Sequence, residues 1–143
     1  MKTKILTFAF LLCLSFTASS QINFGVGGTY LNDLGVQVRA DVPVSSFTLI
    51  PKASYYFIDN ATALIFDLDA KYDLVNIGES NPLYAFGGLL YSRLSSGNFS
   101  SGDLGFNLGA GIRINHIYGE VRYSTVFCDN CNGDIGVAAG YMF

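Results

Sequence analysis

Charge is the scarcest property of this sequence. Only 13% of its 143 residues are charged, where an ordinary soluble domain carries about 25%. With 8 basic against 11 acidic residues and an isoelectric point near 4.8, the chain lacks the cationic surface that tracks a phosphate backbone, which argues against nucleic acid as a partner. There is no tryptophan, one histidine and three cysteines. After residue 20 no apolar stretch reaches the roughly 18 residues that a membrane-spanning helix needs. What the chain does have is 50% hydrophobic residues, 15% aromatics and 16 glycines. That composition excludes disorder, coiled coil and collagen. A buried-sheet protein and a membrane protein remain.

Residues 1–20 have the order of an export signal. Lys2 and Lys4 precede an apolar run from Ile5 to Phe16, and Ala18 and Ser20 place small residues before a cleavage point. The run is too short to span a bilayer, which takes about 20 residues. Cys13 lies inside the run without the small residues of a lipoprotein site before it. The division is therefore a leader over 1–20 and one domain over 21–143. Removing Lys2 and Lys4 takes the basic count from 8 to 6 against 11 acidic residues, a net charge of −5.

From Gln21 onward the pattern has period two. Large apolar residues occupy one parity, and glycine or polar residues the other. Leu64, Phe66, Leu68, Ala70, Tyr72 and Leu74 against Asp67, Asp69, Lys71 and Asp73 is the clearest case. The alternation predicts eight strands: Ile22–Tyr30, Leu34–Val42, Phe47–Phe57, Leu64–Leu74, Tyr84–Leu94, Leu104–Ile114, Ile117–Thr125 and Ile135–Phe143. Each is close to the 9–11 residues that cross a bilayer at a tilt. Turn signals separate them at Leu31-Asn32, Pro43 to Ser46, Asp59-Asn60, Gly78 to Pro82, Ser95 to Gly102, Asn115-His116 and Asp129 to Gly133. An even number of strands, with one at each terminus, fits an all-β, eight-stranded antiparallel up-and-down transmembrane β-barrel without exposed edges.

Charge assigns the faces. Arg39, Asp41, Lys52, Asp67, Asp69, Lys71, Arg93, Arg113, Glu120 and Arg122 all fall on the small, polar parity. In Tyr84–Leu94 the assignment rests on Arg93 alone. A soluble barrel would also alternate, but its outer surface would be poorly solvated by so few charges. Glycine on the charged face suits a narrow, filled interior. Aromatics on the apolar face gather toward the strand ends: Tyr30, Tyr55, Phe57 and Phe127 at one rim, Phe47, Tyr72, Tyr84, Tyr141 and Phe143 at the other. Two interfacial girdles have this form. The ten charges are expected to form an ion-pair network inside the lumen.

The eight strands, the segment Leu104-Gly105-Phe106-Asn107-Leu108-Gly109-Ala110-Gly111, the strand Tyr118-Gly119-Glu120-Val121-Arg122-Tyr123 and the terminal Gly140-Tyr141-Met142-Phe143 resemble the small outer-membrane β-barrels of OmpA/OmpX type. The likeness is greatest to the short "porin family" barrels of Bacteroidetes-like bacteria, and it covers the whole chain after the leader. It implies a Gram-negative outer-membrane location, periplasmic termini and contact with outer-membrane lipid. It also implies that Tyr141 and Phe143, with Ile135, Val137 and Ala139 at alternate positions before them, are read by the barrel-assembly machinery.

Little in the sequence carries chemistry. His116 falls in a tight turn, periplasmic if the resemblance holds, and a nucleophile–base site needs its members within hydrogen-bond reach. Asp67, Asp69, Lys71 and Asp73 share a face, as do Glu120 and Arg122, but cations of similar number are expected in the same narrow lumen, which suits ion pairing better than acid–base work. Gly25-Val26-Gly27-Gly28 and Gly109-Ala110-Gly111 lack the spacing and following helix of phosphate loops. Cys128 and Cys131 lack the second pair or nearby histidine of a zinc site and the helix of a thioredoxin-like motif. In an oxidising compartment they are expected to form a disulfide. No metal, cofactor or catalytic group is expected. The function read here is a non-enzymatic outer-membrane barrel with a structural or surface-interaction role and no identifiable extracellular partner. The alternatives are a narrow small-solute channel and, less favoured, a soluble secreted ligand-binding barrel.

Overall fold

The computed structural model describes residues 22–128 and 131–143. The leader expected over 1–20, with its expected junction at Gln21, and residues 129 and 130 lie outside the described residues. Eight strands follow in order: β1 (Asn23–Leu31), β2 (Asp33–Val44), β3 (Phe47–Ile58), β4 (Ala61–Asn76), β5 (Pro82–Ser96), β6 (Phe99–Ile114), β7 (Ile117–Val126) and β8 (Asp134–Met142). Each pairs antiparallel with the next. β1 pairs with β8 from Gly25↔Met142 to Tyr30↔Val137, which closes the barrel. Closure satisfies every ladder that an open sheet would leave at its edge, the condition for strands to stand in hydrocarbon.

The tight turns depend on residues that tolerate positive φ. Asn32, Asn60 and Asn115 have φ of 63°, 60° and 55°, and Gly97 has 56°. Asparagine reaches the left-handed region more readily than other side-chain-bearing residues, and glycine reaches it without a Cβ clash. The three asparagines fall within the turns expected from sequence. The Ser95–Gly102 segment does not form the expected loop. β5 and β6 continue pairing through Arg93↔Gly102, Ser95↔Ser100 and Ser96↔Phe99 around a two-residue turn. Beyond the apolar belt no hydrophobic alternation marks a strand, because pairing there rests on backbone hydrogen bonds alone.

We call the end that holds the start of β1 and the finish of β8 the terminal end, and the opposite one the far end. The apolar parity faces outward and the polar parity inward, the reverse of a soluble barrel. On β6 Leu108 is 56% exposed while neighbouring Asn107 is fully buried; on β7 Val121 is 56% exposed and Glu120 only 4%. Outward aromatics ring both ends: Tyr30, Tyr55, Phe57, Tyr91, Tyr123 and Phe127 at the far end, and Phe24, Phe47, Tyr72, Tyr141 and Phe143 at the terminal end. Ring contacts tie parts of these girdles together, as between Phe106 and Phe127 at 5.9 Å and Tyr141 and Phe143 at 5.3 Å.

β5 corrects the sequence reading. Tyr84, Phe86 and Leu90 are buried in the lumen, and Arg93 is exposed on the outer face. Volume decides the orientation. Opposite β5, the inward positions of β6 include Gly109 and Gly111. A Cβ at Gly111 would meet the Tyr84 ring at 2.6 Å, and one at Gly109 would collide with Phe86. Large residues on one strand fill the space that glycines on its neighbour leave, as close packing requires.

The outward assignment makes a depth-dependent prediction. Leu108→Arg, near the middle of β6, should destabilise the inserted barrel by about 2–4 kcal/mol, whereas Ile114→Arg at its end should cost about 0–1 kcal/mol. Urea titrations of the chain folded into phospholipid vesicles measure both.

Candidate functional site

The polar interior is the candidate site, and four strands supply its charges. Arg39 and Asp41 come from β2, Lys52 from β3, Asp67, Asp69 and Lys71 from β4, and Glu120 and Arg122 from β7. Strand alternation turns all eight inward, and all are buried. Four cations therefore stand against four anions.

Glu120 is the centre of the larger cluster. One carboxylate oxygen accepts from Arg39 Nη1 and, at 2.9 Å, from the Tyr84 hydroxyl; the other accepts from Lys52 Nζ at 3.0 Å. Lys52 also meets Asp69 at 2.9 Å. Arg39 binds Asp41 at 2.9 Å, and Asp41 in turn meets Lys71 Nζ at 2.9 Å. Aromatic faces cover the cations: Tyr118 lies 4.6 Å from Arg39, Phe86 4.2 Å from Lys52 and Tyr84 4.9 Å from Lys71. Such contacts strengthen when desolvated.

A second cluster lies toward the far end. Arg122 pairs with Asp67 at 3.4 Å and donates to the Tyr56 hydroxyl and, at 3.4 Å, to Thr29. Asn107 Nδ2 donates to the remaining oxygen of Asp67 at 2.8 Å. Beyond it Tyr56, Ala63, Ile65 and Leu90 form an apolar layer, with Leu31, Ile58 and Val126 packed around it. The hydroxyls and amide of Thr29, Tyr56, Tyr84 and Asn107 were not singled out from sequence. Their small–large alternation across β5 and β6 is the signal that would have found Tyr84.

Two expected members stand outside the network. Arg93 points away from the lumen. Arg113 keeps the inward parity but is only half-buried near the terminal turn, and among the described residues no ion pair includes it. At the mouth of the barrel water solvates a cation, so the partner that burial demands is not needed.

The remaining residues have local roles. His116 lies in the β6–β7 turn, with Nδ1 3.0 Å from the Met142 carbonyl and its ring stacked on Tyr141 at 5.4 Å. Its own carbonyl accepts the Met142 N–H at 2.6 Å, so the turn pins the end of β8. Phe143 N–H donates to the Phe24 carbonyl at 2.7 Å. Cys128 and Cys131 are bonded, with Cα atoms 5.4 Å apart, a normal span for a disulfide. Among the described residues no group of three His, Cys, Asp or Glu side chains is placed to hold a metal ion.

A closed eight-stranded barrel, apolar outside and charged within, can now be compared with known proteins. The fold is that of the small outer-membrane β-barrels. The N-terminal barrel domain of Pseudomonas aeruginosa OprF superposes with a TM-score of 0.65 at 15% identity, over 87% of this chain and 100% of that one. A major outer membrane protein from Thermus thermophilus gives 0.61 at 13% identity, over 87% and 100%. Neisserial surface protein A gives 0.59 at 11% identity, over 87% and 99%. No protein-family model and no curated protein sequence matches the chain. At these identities the likeness is one of fold, carried by pattern rather than by shared residues.

Because Glu120 serves two cations and a tyrosine, its charge should matter most. Glu120→Gln leaves Arg39 and Lys52 with one buried carboxylate each, and we expect a loss of about 3–5 kcal/mol. Arg113→Gln should cost well under 1 kcal/mol, as solvated positions do. Equilibrium unfolding in vesicles distinguishes the two.

Proposed function

We propose that this chain is a non-enzymatic barrel of the bacterial outer membrane, a closed scaffold with a structural or surface-interaction role and not a diffusion pore. One observation carries the reading: the lumen holds a charge-balanced set of eight buried ionic side chains from four strands, and each makes an ion pair. Eight-stranded barrels have an interior just wide enough for side chains to fill. A solute would have to break these pairs to pass. The buried carboxylates are engaged with cations, and His116 is held against the terminal strand, which supports a role without catalysis. The outward apolar belt between two aromatic girdles supports insertion in lipid as the resting state.

Conductance tests the closed state. The purified chain in planar bilayers should give no stable channel in molar salt. Reproducible unitary openings would favour the narrow small-solute channel and end the scaffold reading.

Assembly in the cell is part of the same proposal, with Tyr141 and Phe143 as the segment read by the assembly machinery. Phe143 is highly exposed and contributes one backbone hydrogen bond at the barrel seam. Deleting it should change stability in vesicles by about 1 kcal/mol or less, the worth of one such bond. Outer-membrane levels in cells should fall far more. Normal cellular levels would leave Phe143 as a girdle residue only.

A further inference from the structure

The lumen changes character toward its far end. Above the Arg122–Asp67 pair the filling turns from ionic to apolar: Tyr56, Ala63, Ile65 and Leu90 are buried there, and Leu31 and Val126 pack around them. Solvation alone would put charges nearest the water and apolar groups deepest; here the order is reversed. Leu31, Ile65, Leu90 and Val126 line a cavity of about 200 Å³ at the far-end mouth. A seal over the ion pairs would need the apolar layer but not the space. An apolar cavity of about 150 Å³ is already enough for a benzene ring.

The rim of this cavity is acidic. Register places one carboxylate across from each of three lining residues: Asp33 from Leu31, Asp103 from Ser92, and Asp134 from Ser124. Residues paired across strands share a face, so all three stand at the mouth of the lumen, each half-buried. Asp103 accepts from Ser101 Oγ at 3.2 Å, yet among the described residues no ion pair includes any of the three. Arg122 is held by Asp67 and Tyr56, Arg93 faces outward, and Arg113 lies at the opposite mouth. Charges of one sign around a low-dielectric cleft concentrate counter-ions. Ser124 adds a second, independent signal. It lines the cavity, is only 7% exposed, and its hydroxyl has no hydrogen-bond partner among the described residues. A buried hydroxyl left unpaired carries a cost that a polar group on a ligand would remove.

We propose that the far-end mouth binds a small organic ammonium ion carrying one ring-sized apolar group. The ring occupies the cavity over Ile65 and Leu90. The ammonium lies at the rim among Asp33, Asp103 and Asp134, with the Ser124 hydroxyl as a further acceptor. An apolar pocket with a few convergent polar groups, set in the mouth of a barrel, is a common form of small-molecule site. The site gives the surface-interaction reading a ligand class, and it rests on the closed lumen of that reading, because the paired charges are its floor.

Phenethylammonium is the probe, and phenethyl alcohol its neutral counterpart. The full chain, methyl-labelled at isoleucine and leucine and folded in detergent micelles, is titrated with each and followed by NMR. The amine should shift the Ile65 and Leu90 methyls saturably and give intermolecular NOEs to them. The outward Leu68 and Leu108 methyls report partitioning into the micelle and should not saturate. The alcohol should bind at least about tenfold more weakly, the effect of losing hydrogen bonds to charged groups. The variant Asp33→Asn/Asp103→Asn/Asp134→Asn should bind the amine no more tightly than the alcohol. Should that variant not fold, Asp134→Asn alone should weaken the amine about fivefold, the upper end for a partly exposed ion pair, and leave the alcohol unchanged. Absence of saturable shifts at Ile65 and Leu90, equal binding of amine and alcohol, or an amine preference that survives the substitutions overturns the site. NOEs from the ring to Ile50, buried one inward position nearer the terminal end than Lys52, would instead overturn the closed lumen beneath it.

Discussion

A charged side chain on a strand of this barrel has two directions available, into hydrocarbon or into a lumen too narrow for bulk water. Either is costly for a lone charge. The lumen becomes acceptable only when every inward charge meets an opposite one, and the rest of the structure follows from that requirement. It makes four cations and four anions converge from β2, β3, β4 and β7. It brings Tyr84 and Asn107 inward as neutral donors to carboxylates that cations leave partly open. It also leaves the outer face free for the apolar residues that lipid solvates.

Volume is the second constraint, and it acts through the first. Long cationic side chains crossing the lumen leave gaps that only flat rings fill well. Tyr84, Phe86 and Tyr118 supply those rings, each against a cation. They fit because β6 presents glycine at positions 109 and 111, and because Gly27 and Gly140 leave room for Tyr118. The glycines of this chain are therefore packing residues of the lumen more than sites of chain flexibility.

These constraints explain what the sequence revealed and what it hid. Strand number, closure and the inward parity of seven of the eight strands were legible, because charge and apolar residues alternate within a window of a few residues. β5 was not. Its only charge, Arg93, lies past the belt, where the rule that turns charges inward no longer acts, and parity read from it put Tyr84 on the wrong face. The extension of β5 and β6 was hidden for a related reason, since polar strands outside lipid have no alternation to show. Which charges would be inward was readable; their partners were not. Arg39 and Glu120 are 81 residues apart, and Arg122 and Asp67 are 55 apart. Such pairs depend on strand register around the barrel, which no local pattern records. The half-solvated Arg113 marks where the requirement for a partner ends.

The central claim is that the lumen pairs act as coupled charges and not as eight independent side chains. A double-mutant cycle between Arg39 and Glu120 tests it directly, with Arg39→Met, Glu120→Gln and the double variant unfolded in the same vesicles. Contacting members of one network show interaction energies of about 0.5–3 kcal/mol, and this account predicts the upper half of that range, with the double variant much less destabilised than the sum of the singles. Additive costs, with no coupling between the two positions, would contradict it.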